Sequence, residues 1–251
     1  MKFAITPCPN DTFSYRALIE GEIKSGLSFV FEDIETLNLK AERGEYPVTK
    51  LSFAAYLKLR DKYELLDAGA AMGMAAGPVL VGRAGMPFDA SRRVIVPGLN
   101  TTAALLVKFY AGGQLDLRPM MFRGITGAIL AGEADFGVLI HEGRFVFRSQ
   151  GLELVEDLGA HWTRKTGLPV PLGCICVRRD FAARKAELEE KIRESIAAAF
   201  ADPDKTFPFV KMHAQYLEDS VLKKHVYAFV NEYSKSIAGI REKVISCLEK
   251  C

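Results

Sequence analysis

The chain opens with Lys2-Phe-Ala-Ile-Thr-Pro-Cys-Pro-Asn-Asp-Thr-Phe13, and this stretch sets the fold class. Residues 2–6 form a short apolar strand, broken by Pro7 and Pro9, whose rings remove the N–H groups a ladder needs. Asn10, Asp11 and Thr12 then offer caps to a helix over 13–20, since short polar side chains accept from the unpaired N–H groups of a first turn. The same alternation repeats downstream. A strand over 27–33 leads into a helical stretch over 35–42. Another brief strand covers 48–51, and Ser52 caps a helix carrying Phe53, Ala54, Tyr56 and Leu57. Strand and helix in turn predict an α/β protein built on parallel pairing.

Further along, small residues dominate 68–77, and Pro78-Val-Leu-Val81 reads as a new strand. A strand over 92–96 is closed by Pro97-Gly98, and Asn100-Thr101-Thr102 cap a helix over 103–110. Another helix is expected over 123–131, then a buried strand over 135–140 that ends at His141. Residues 171–178 are strand-like and resemble 78–83 in layout. Beyond them, 187–200 carry Leu188, Ile192, Ile196 and Ala199 at helical spacing, and 236–249 carry Ile240, Val244 and Leu248. Asp202-Pro203 marks a break between helices. Two strand-like crossings predict two lobes: residues 1–85 and 172–251 form one discontinuous lobe, with 86–171 inserted as the second. The carboxyl ends of the strands would then surround a central cleft.

Composition limits the function classes. The 251 residues are 49% hydrophobic and 25% charged, which excludes disordered and collagen-like chains. Lys and Arg number 33 against 31 Asp and Glu, dispersed along the chain, so no basic stripe marks a nucleic-acid partner. Residues 1–7 leave no room for the apolar core of a signal peptide. The longest uncharged run, between Asp67 and Arg83, is shorter than the roughly 20 apolar residues of a membrane span. Cys174 and Cys176 fall on one face of a strand with a spacing that suits neither a redox CxxC motif nor a zinc pair; the five cysteines read as reduced small hydrophobes. A cytoplasmic protein with no membrane or nucleic-acid partner is expected; the oligomeric state stays open.

Three segments place short polar residues at helix starts: Asn10-Asp11-Thr12, Lys50-Leu51-Ser52 and Asn100-Thr101-Thr102. A helix N-terminus offers unpaired N–H groups and partial positive charge, a site for a carboxylate or phosphate. Each segment alone more commonly caps its own helix. Their convergence on one cleft is the functional hypothesis. His141, followed by Glu142, Gly143 and Arg144, sits at a strand end, where it could act as a general base or serve only as a structural residue. His161, His213 and His225 are isolated, and no HExxH pair, nucleophile elbow, Walker loop or dinucleotide fingerprint is present. Gly69, Gly73 and Gly77, four apart, read as packing glycines. These residues describe a two-lobed small-molecule protein and do not separate a binder from an enzyme.

Four stretches carry a likeness to a known family: Thr6-Pro-Cys-Pro-Asn-Asp-Thr-Phe13, Gly44-Glu-Tyr-Pro-Val-Thr-Lys-Leu-Ser-Phe-Ala-Ala-Tyr56, Ile140-His-Glu-Gly-Arg-Phe145 and Thr166-Gly-Leu-Pro-Val-Pro-Leu-Gly173. They resemble the 1,4-dihydroxy-6-naphthoate synthases, lyases of the futalosine route to menaquinone, over about residues 4–235. The resemblance implies a two-lobed periplasmic-binding-protein-like fold of type II, used as an enzyme without metal or organic cofactor. It implies a small carboxylate substrate, cyclic dehypoxanthinyl futalosine, converted to 1,4-dihydroxy-6-naphthoate with loss of dihydroxyacetone. By the same resemblance His141 is the proton acceptor, and Lys50, Leu51, Ser52, Thr101 and Thr102 contact substrate. Asn10, Asp11 and Arg144 are further cleft candidates. The competing readings are a non-catalytic binder of an aromatic carboxylate and the sister chorismate dehydratase reaction.

Overall fold

The computed structural model describes residues 1–141, 143–214 and 218–251, and among them the chain runs in three segments. The first holds β1 (Lys2–Ile5), α1 (Pro9–Ile19), β2 (Ser28–Phe31), α2 (Ile34–Glu42), β3 (Val48–Ser52), α3 (Phe53–Lys58), β4 (Tyr63–Leu65) and β5 (Ala71–Gly73). The second holds β6 (Val79–Arg83), β7 (Val94–Val96), α4 (Thr102–Ala111), β8 (Leu117–Pro119), α5 (Ile125–Leu130), β9 (Phe136–Leu139), α6 (Gly143–Val146), β10 (Leu152–Asp157) and α7 (Leu158–Thr166). The third returns through β11 (Val170–Arg178) to α8 (Lys185–Ala201), α9 (Pro203–His213), α10 (Asp219–Phe229), α11 (Glu232–Lys235) and α12 (Arg241–Leu248).

Two sheets result. One has the order β2-β1-β3-β11-β4, with β5 also on β11; the other has the order β10-β6-β9-β7-β8. The expected parallel pairing holds for β1 with β2 and β3, and for β7 with β8 and β9. It fails at the crossings, where β11 is antiparallel to β3 and β6 is antiparallel to β9. The reason is direction of arrival. A chain coming from the other sheet starts at the cleft end, where the parallel strands finish, and must run away from it. Gly173, near the start of β11, therefore pairs with Ser52 at the end of β3, and Val79 pairs with Leu139 at the end of β9. The likeness in layout between 78–83 and 171–178 reflects this shared role. It also moves a boundary: β6, expected on the near side of a crossing at residue 85, belongs to the second sheet.

Strand alternation divides the core. Ile175 and Val177 of β11 pack with Phe3, Ile5, Phe13, Ile192 and Val226 under α1, α8 and α10. Cys174 and Cys176 face the opposite way, into a cluster with Leu51, Leu65, Leu80, Val94 and Trp162 that spans both sheets. Their sulfurs stand 3.8 Å apart without a disulfide. On α8 the expected stripe of Leu188, Ile192, Ile196 and Ala199 is buried. The helix starts differ in more than one place: the stretch expected to be helical from residue 236 becomes so only at Arg241, the start of α12, and α1 begins earlier than expected. Pro9 occupies the first turn of α1, where its missing N–H costs nothing, and Cys8 takes the cap position with its side chain making no cap bond to the helix. Asn10 and Asp11 are consequently inside the helix and free for other partners.

The glycine series serves close packing. A Cβ on Gly73 would lie 2.6 Å from the Ala228 carbonyl oxygen, and one on Gly77 would lie 2.8 Å from Cα of Gly159. At Gly159 a Cβ would come within 2.6 Å of the Gly77 nitrogen, so two backbones touch where the chain enters β6. Gly159→Ala is expected to destabilise the fold by about 1–3 kcal/mol, as overpacking against backbone does, read as a lowered urea midpoint.

Candidate active site

The cleft lies at the carboxyl ends of the parallel strands. Thr6 follows β1, Lys50 and Ser52 end β3, Ile140 and His141 follow β9, and Leu172 and Gly173 begin β11; all line it. Its empty volume is about 640 Å³ including the mouth, in the range of small-molecule sites. Asn10, Thr101, Thr102, Arg144 and His225 complete the polar lining. The expected convergence of three helix starts is therefore present. Leu51 is the exception. Alternation along β3 sends Lys50 and Ser52 to the cleft and the Leu51 side chain into the core, fully buried.

The floor is an ion pair. Lys50 Nζ lies 2.5 Å from Asp11 Oδ1, with the two side chains 7% and 3% exposed. Asp11 also accepts from Asn10 Nδ2 at 2.7 Å, Thr6 N at 3.1 Å and Thr6 Oγ1 at 2.6 Å. Asp11 thus stands behind the cleft wall and does not line it. Gly173 makes room for the lysine: a Cβ there would meet Lys50 Cε at 2.8 Å. The pair bonds the start of α1 to the end of β3, which explains why a strand-end lysine can be buried.

The hydroxyls at the helix starts are partly occupied. Thr101 caps α4, accepting from Ala104 N at 3.2 Å while donating to the Gly98 carbonyl at 2.7 Å. Thr102 Oγ1 accepts from Ala54 N at 3.3 Å and donates to the Leu172 carbonyl at 3.1 Å, joining α4 to α3 and β11. Ser52 sits at the cap position of α3 but makes no cap bond; its Oγ accepts from Asn38 Nδ2 at 3.2 Å. Asn100 bridges instead of capping. Its backbone N–H donates to Glu35 Oε1 at 3.1 Å and its Oδ1 accepts from Lys58 Nζ at 3.0 Å, tying the loop before α4 to the first sheet's helices. What α4 offers a ligand is mainly the unpaired N–H groups of its first turn, at Thr102 and Ala103.

His141 adopts φ = +53°, a left-handed conformation that costs a non-glycine residue about 1 kcal/mol. Its ring contacts Phe122 edge-on at 5.1 Å, and Cys8 Sγ stands 3.3 Å from Nδ1. Burial, reinforced by the Lys50 charge, pushes its pKa down to about 3, against a weak opposing pull from Asp33. The imidazole is therefore neutral at physiological pH. His141 also borders a second hollow, lined by Cys8, Asp33, Phe122 and Arg123, so it stands between the inner cleft and an outer one. Arg144 donates to the Gly77 carbonyl and, at 3.1 Å, to Asp157 Oδ2, fixing the segment after His141 to the crossing. Glu142 lies outside the described residues.

His225, isolated in the sequence, also lines the cleft. Its ring centroid is 6.2 Å from that of His141, and it sits on α10. The signal was available in the spacing: Leu222, His225, Val226 and Phe229 form the buried stripe of α10, which places a histidine at a core position. His161 and His213 do not line the cleft. Among the described residues no group of three His, Cys, Asp or Glu side chains is placed to hold a metal, and no helix is long and apolar enough to cross a membrane.

A family model described as menaquinone biosynthesis matches residues 1–248. The chain belongs to the menaquinone biosynthesis family. It is 40% identical to a 1,4-dihydroxy-6-naphthoate synthase of Thermus thermophilus, over 99% of this chain and 92% of that protein. A second protein of that name, from Streptomyces coelicolor, is 37% identical over 94% of this chain and 87% of its own length. A solved protein of Archaeoglobus fulgidus superposes with a TM-score of 0.92 at 35% identity, covering 99% of this chain and 96% of that one. The ligand-binding component of a Staphylococcus aureus ABC import system superposes at 0.72 with 12% identity, covering 100% and 90%. That second likeness shows the fold alone: two-lobed and periplasmic-binding-protein-like, as the resemblance implied. Membership in the menaquinone biosynthesis family makes the chain an enzyme of lyase type.

Two measurements follow from the site. Asp11→Asn leaves the Lys50 ammonium buried without its carboxylate and is expected to cost about 3–5 kcal/mol in denaturant unfolding. His141 and His225 both have pKa values below the unfolded 6.5, so the unfolded chain binds their protons first. Their contribution to stability is complete above about pH 6.5 and declines as pH falls toward the folded values. The urea midpoint should drop between pH 6.5 and 4, and His141→Asn should remove about one proton from that dependence.

Proposed function

We propose that the chain converts cyclic dehypoxanthinyl futalosine to 1,4-dihydroxy-6-naphthoate and dihydroxyacetone, with His141 as general base. The observation that carries this reading is the meeting, in one cleft, of a neutral histidine with an anion-holding corner made by Lys50, Ser52 and the first turn of α4. The substrate carboxylate would rest against the Thr102 and Ala103 N–H groups and accept from the Ser52 hydroxyl. Anchored there, the sugar-derived carbon is presented to His141, and orientation replaces a bimolecular encounter. A ligand-free pKa of about 3 describes a weak base. The bound carboxylate offsets the Lys50 charge that helps depress it, so the substrate itself raises the basicity of His141. Proton removal starts carbon–carbon cleavage, and aromatisation of the ring drives it forward.

The two sheets are proposed to be the lobes of this enzyme, moving apart about the crossings near 74–78 and 167–170. Asn100, held by Glu35 and Lys58, would keep them together. Closure excludes water from the carbanionic or enolic intermediate. The setting is proposed to be cytoplasmic, with a small-molecule carboxylate as the only partner required.

The assay uses purified protein with cyclic dehypoxanthinyl futalosine and, separately, with chorismate. Naphthoate from the first supports the reading. A dehydrated product from the second assigns the sister activity, and binding without product assigns a solute binder. His141→Asn should keep substrate affinity and lower kcat by at least about 100-fold; wild-type turnover would remove the base assignment. Thr101→Val with Thr102→Val should raise KM more than it lowers kcat. The pH profiles provide a further check. The acid limb of kcat/KM should lie well below pH 6.5, and that of kcat at higher pH, because the bound carboxylate raises the base.

A further inference from the structure

A chain of hydrogen bonds fixes the tautomer of His225. Asp11 is an acceptor, so the 2.7 Å contact from Asn10 must use the Asn10 amide nitrogen. That orientation turns Asn10 Oδ1 toward His225 Nε2, 3.0 Å away. A carbonyl oxygen only accepts, so Nε2 carries the proton and Nδ1 of the neutral ring is a bare lone pair. Burial, with the nearby Lys50 and Arg144 charges, lowers the His225 pKa and keeps the ring neutral. His225 is 2% exposed and lines the cleft, and its Nδ1 has no hydrogen-bond partner among the described residues. A buried acceptor without a donor is costly. Holding it in a prearranged tautomer beside His141 makes sense if a ligand supplies the donor.

We propose that His225 Nδ1 accepts a hydrogen bond from a hydroxyl of the bound substrate, on the part of the molecule that His141 acts upon. His225 is then a substrate-contacting specificity residue, and Asn10 and Asp11 are positioning residues that set its tautomer. The ligand class is a carboxylate that also bears an aliphatic hydroxyl. The proposal rests on the reaction proposed above, whose substrate carries sugar-derived hydroxyls.

Two substitutions separate this role from a structural one. Glutamine places its terminal amide where Nε2 lies, so His225→Gln keeps the bond to Asn10 and deletes the Nδ1 acceptor. Asparagine places its amide where Nδ1 lies, so His225→Asn does the reverse. The expected order of kcat/KM with cyclic dehypoxanthinyl futalosine is wild type, then His225→Asn, then His225→Gln, with at least about a tenfold loss for the last. The opposite order, or a His225→Gln enzyme equal to wild type, overturns the proposal. Affinity for 1,4-dihydroxy-6-naphthoate, which lacks the sugar-derived part, should fall far less in His225→Gln than kcat/KM does; an equal fall also overturns it. A second arm does not need turnover. Nitrogen-15 NMR of histidine-labelled wild-type protein should show the Nε2-protonated tautomer at His225. Dihydroxyacetone should then shift the Nδ1 resonance upfield. The other tautomer, or no shift at saturating dihydroxyacetone, overturns the proposal, whereas absence of naphthoate from wild type overturns the reaction.

Discussion

The buried pair of Lys50 and Asp11 is the constraint on which the site depends. Removing two charges from water is expensive, and the arrangement holds because Asp11 collects further donors from Thr6 and Asn10. Each of those bonds has a consequence beyond stability. The Thr6 bonds set the end of β1 against the first turn of α1. The Asn10 bond orients an amide and, through it, a histidine. Burial lowers the His141 pKa most, and the lysine charge lowers it further. One ion pair therefore couples the cleft's shape, its tautomers and its basicity.

The second organising feature is the direction of the crossing strands. Because β6 and β11 begin at the cleft, their first residues supply lining from backbone and small side chains, at Gly77, Pro78, Leu172 and Gly173. Small residues there let neighbours approach: Gly77 meets Gly159, and Gly173 lets the Lys50 stem pass. Arg144 uses the Gly77 carbonyl at the first crossing as an anchor. The segment carrying His141 is thus tied to the point where the chain passes between sheets. Relative motion of the sheets would act directly on the histidine's surroundings.

Legibility varied with the physics involved. Elements whose apolar spacing is local, such as α8 with Leu188, Ile192 and Ile196, were read closely. The start of α1 is ambiguous in the sequence because Pro9 suits both the end of a strand and a first helical turn, and only the structure shows the second. The His141 position and the residues of the Lys-Leu-Ser and paired-threonine segments came from strand ends and from resemblance. Their division into cleft-facing Lys50 and Ser52 and core-facing Leu51 required the strand's orientation. His225 is not legible as a cleft residue in the sequence because its partner, Asn10, lies 215 positions away.

By itself the sequence determined the α/β class, the two-lobed organisation, the segments that line the cleft and the family likeness, since these rest on periodicity, breakers and motifs that act over a few residues. The tertiary structure decided which strands run antiparallel, on which side of a crossing β6 lies, and which polar groups pair. Those outcomes depend on where the chain returns in space. The tautomer of a buried histidine is the clearest case, because it is set by an amide and its neighbouring carboxylate on α1, far in sequence from the histidine on α10.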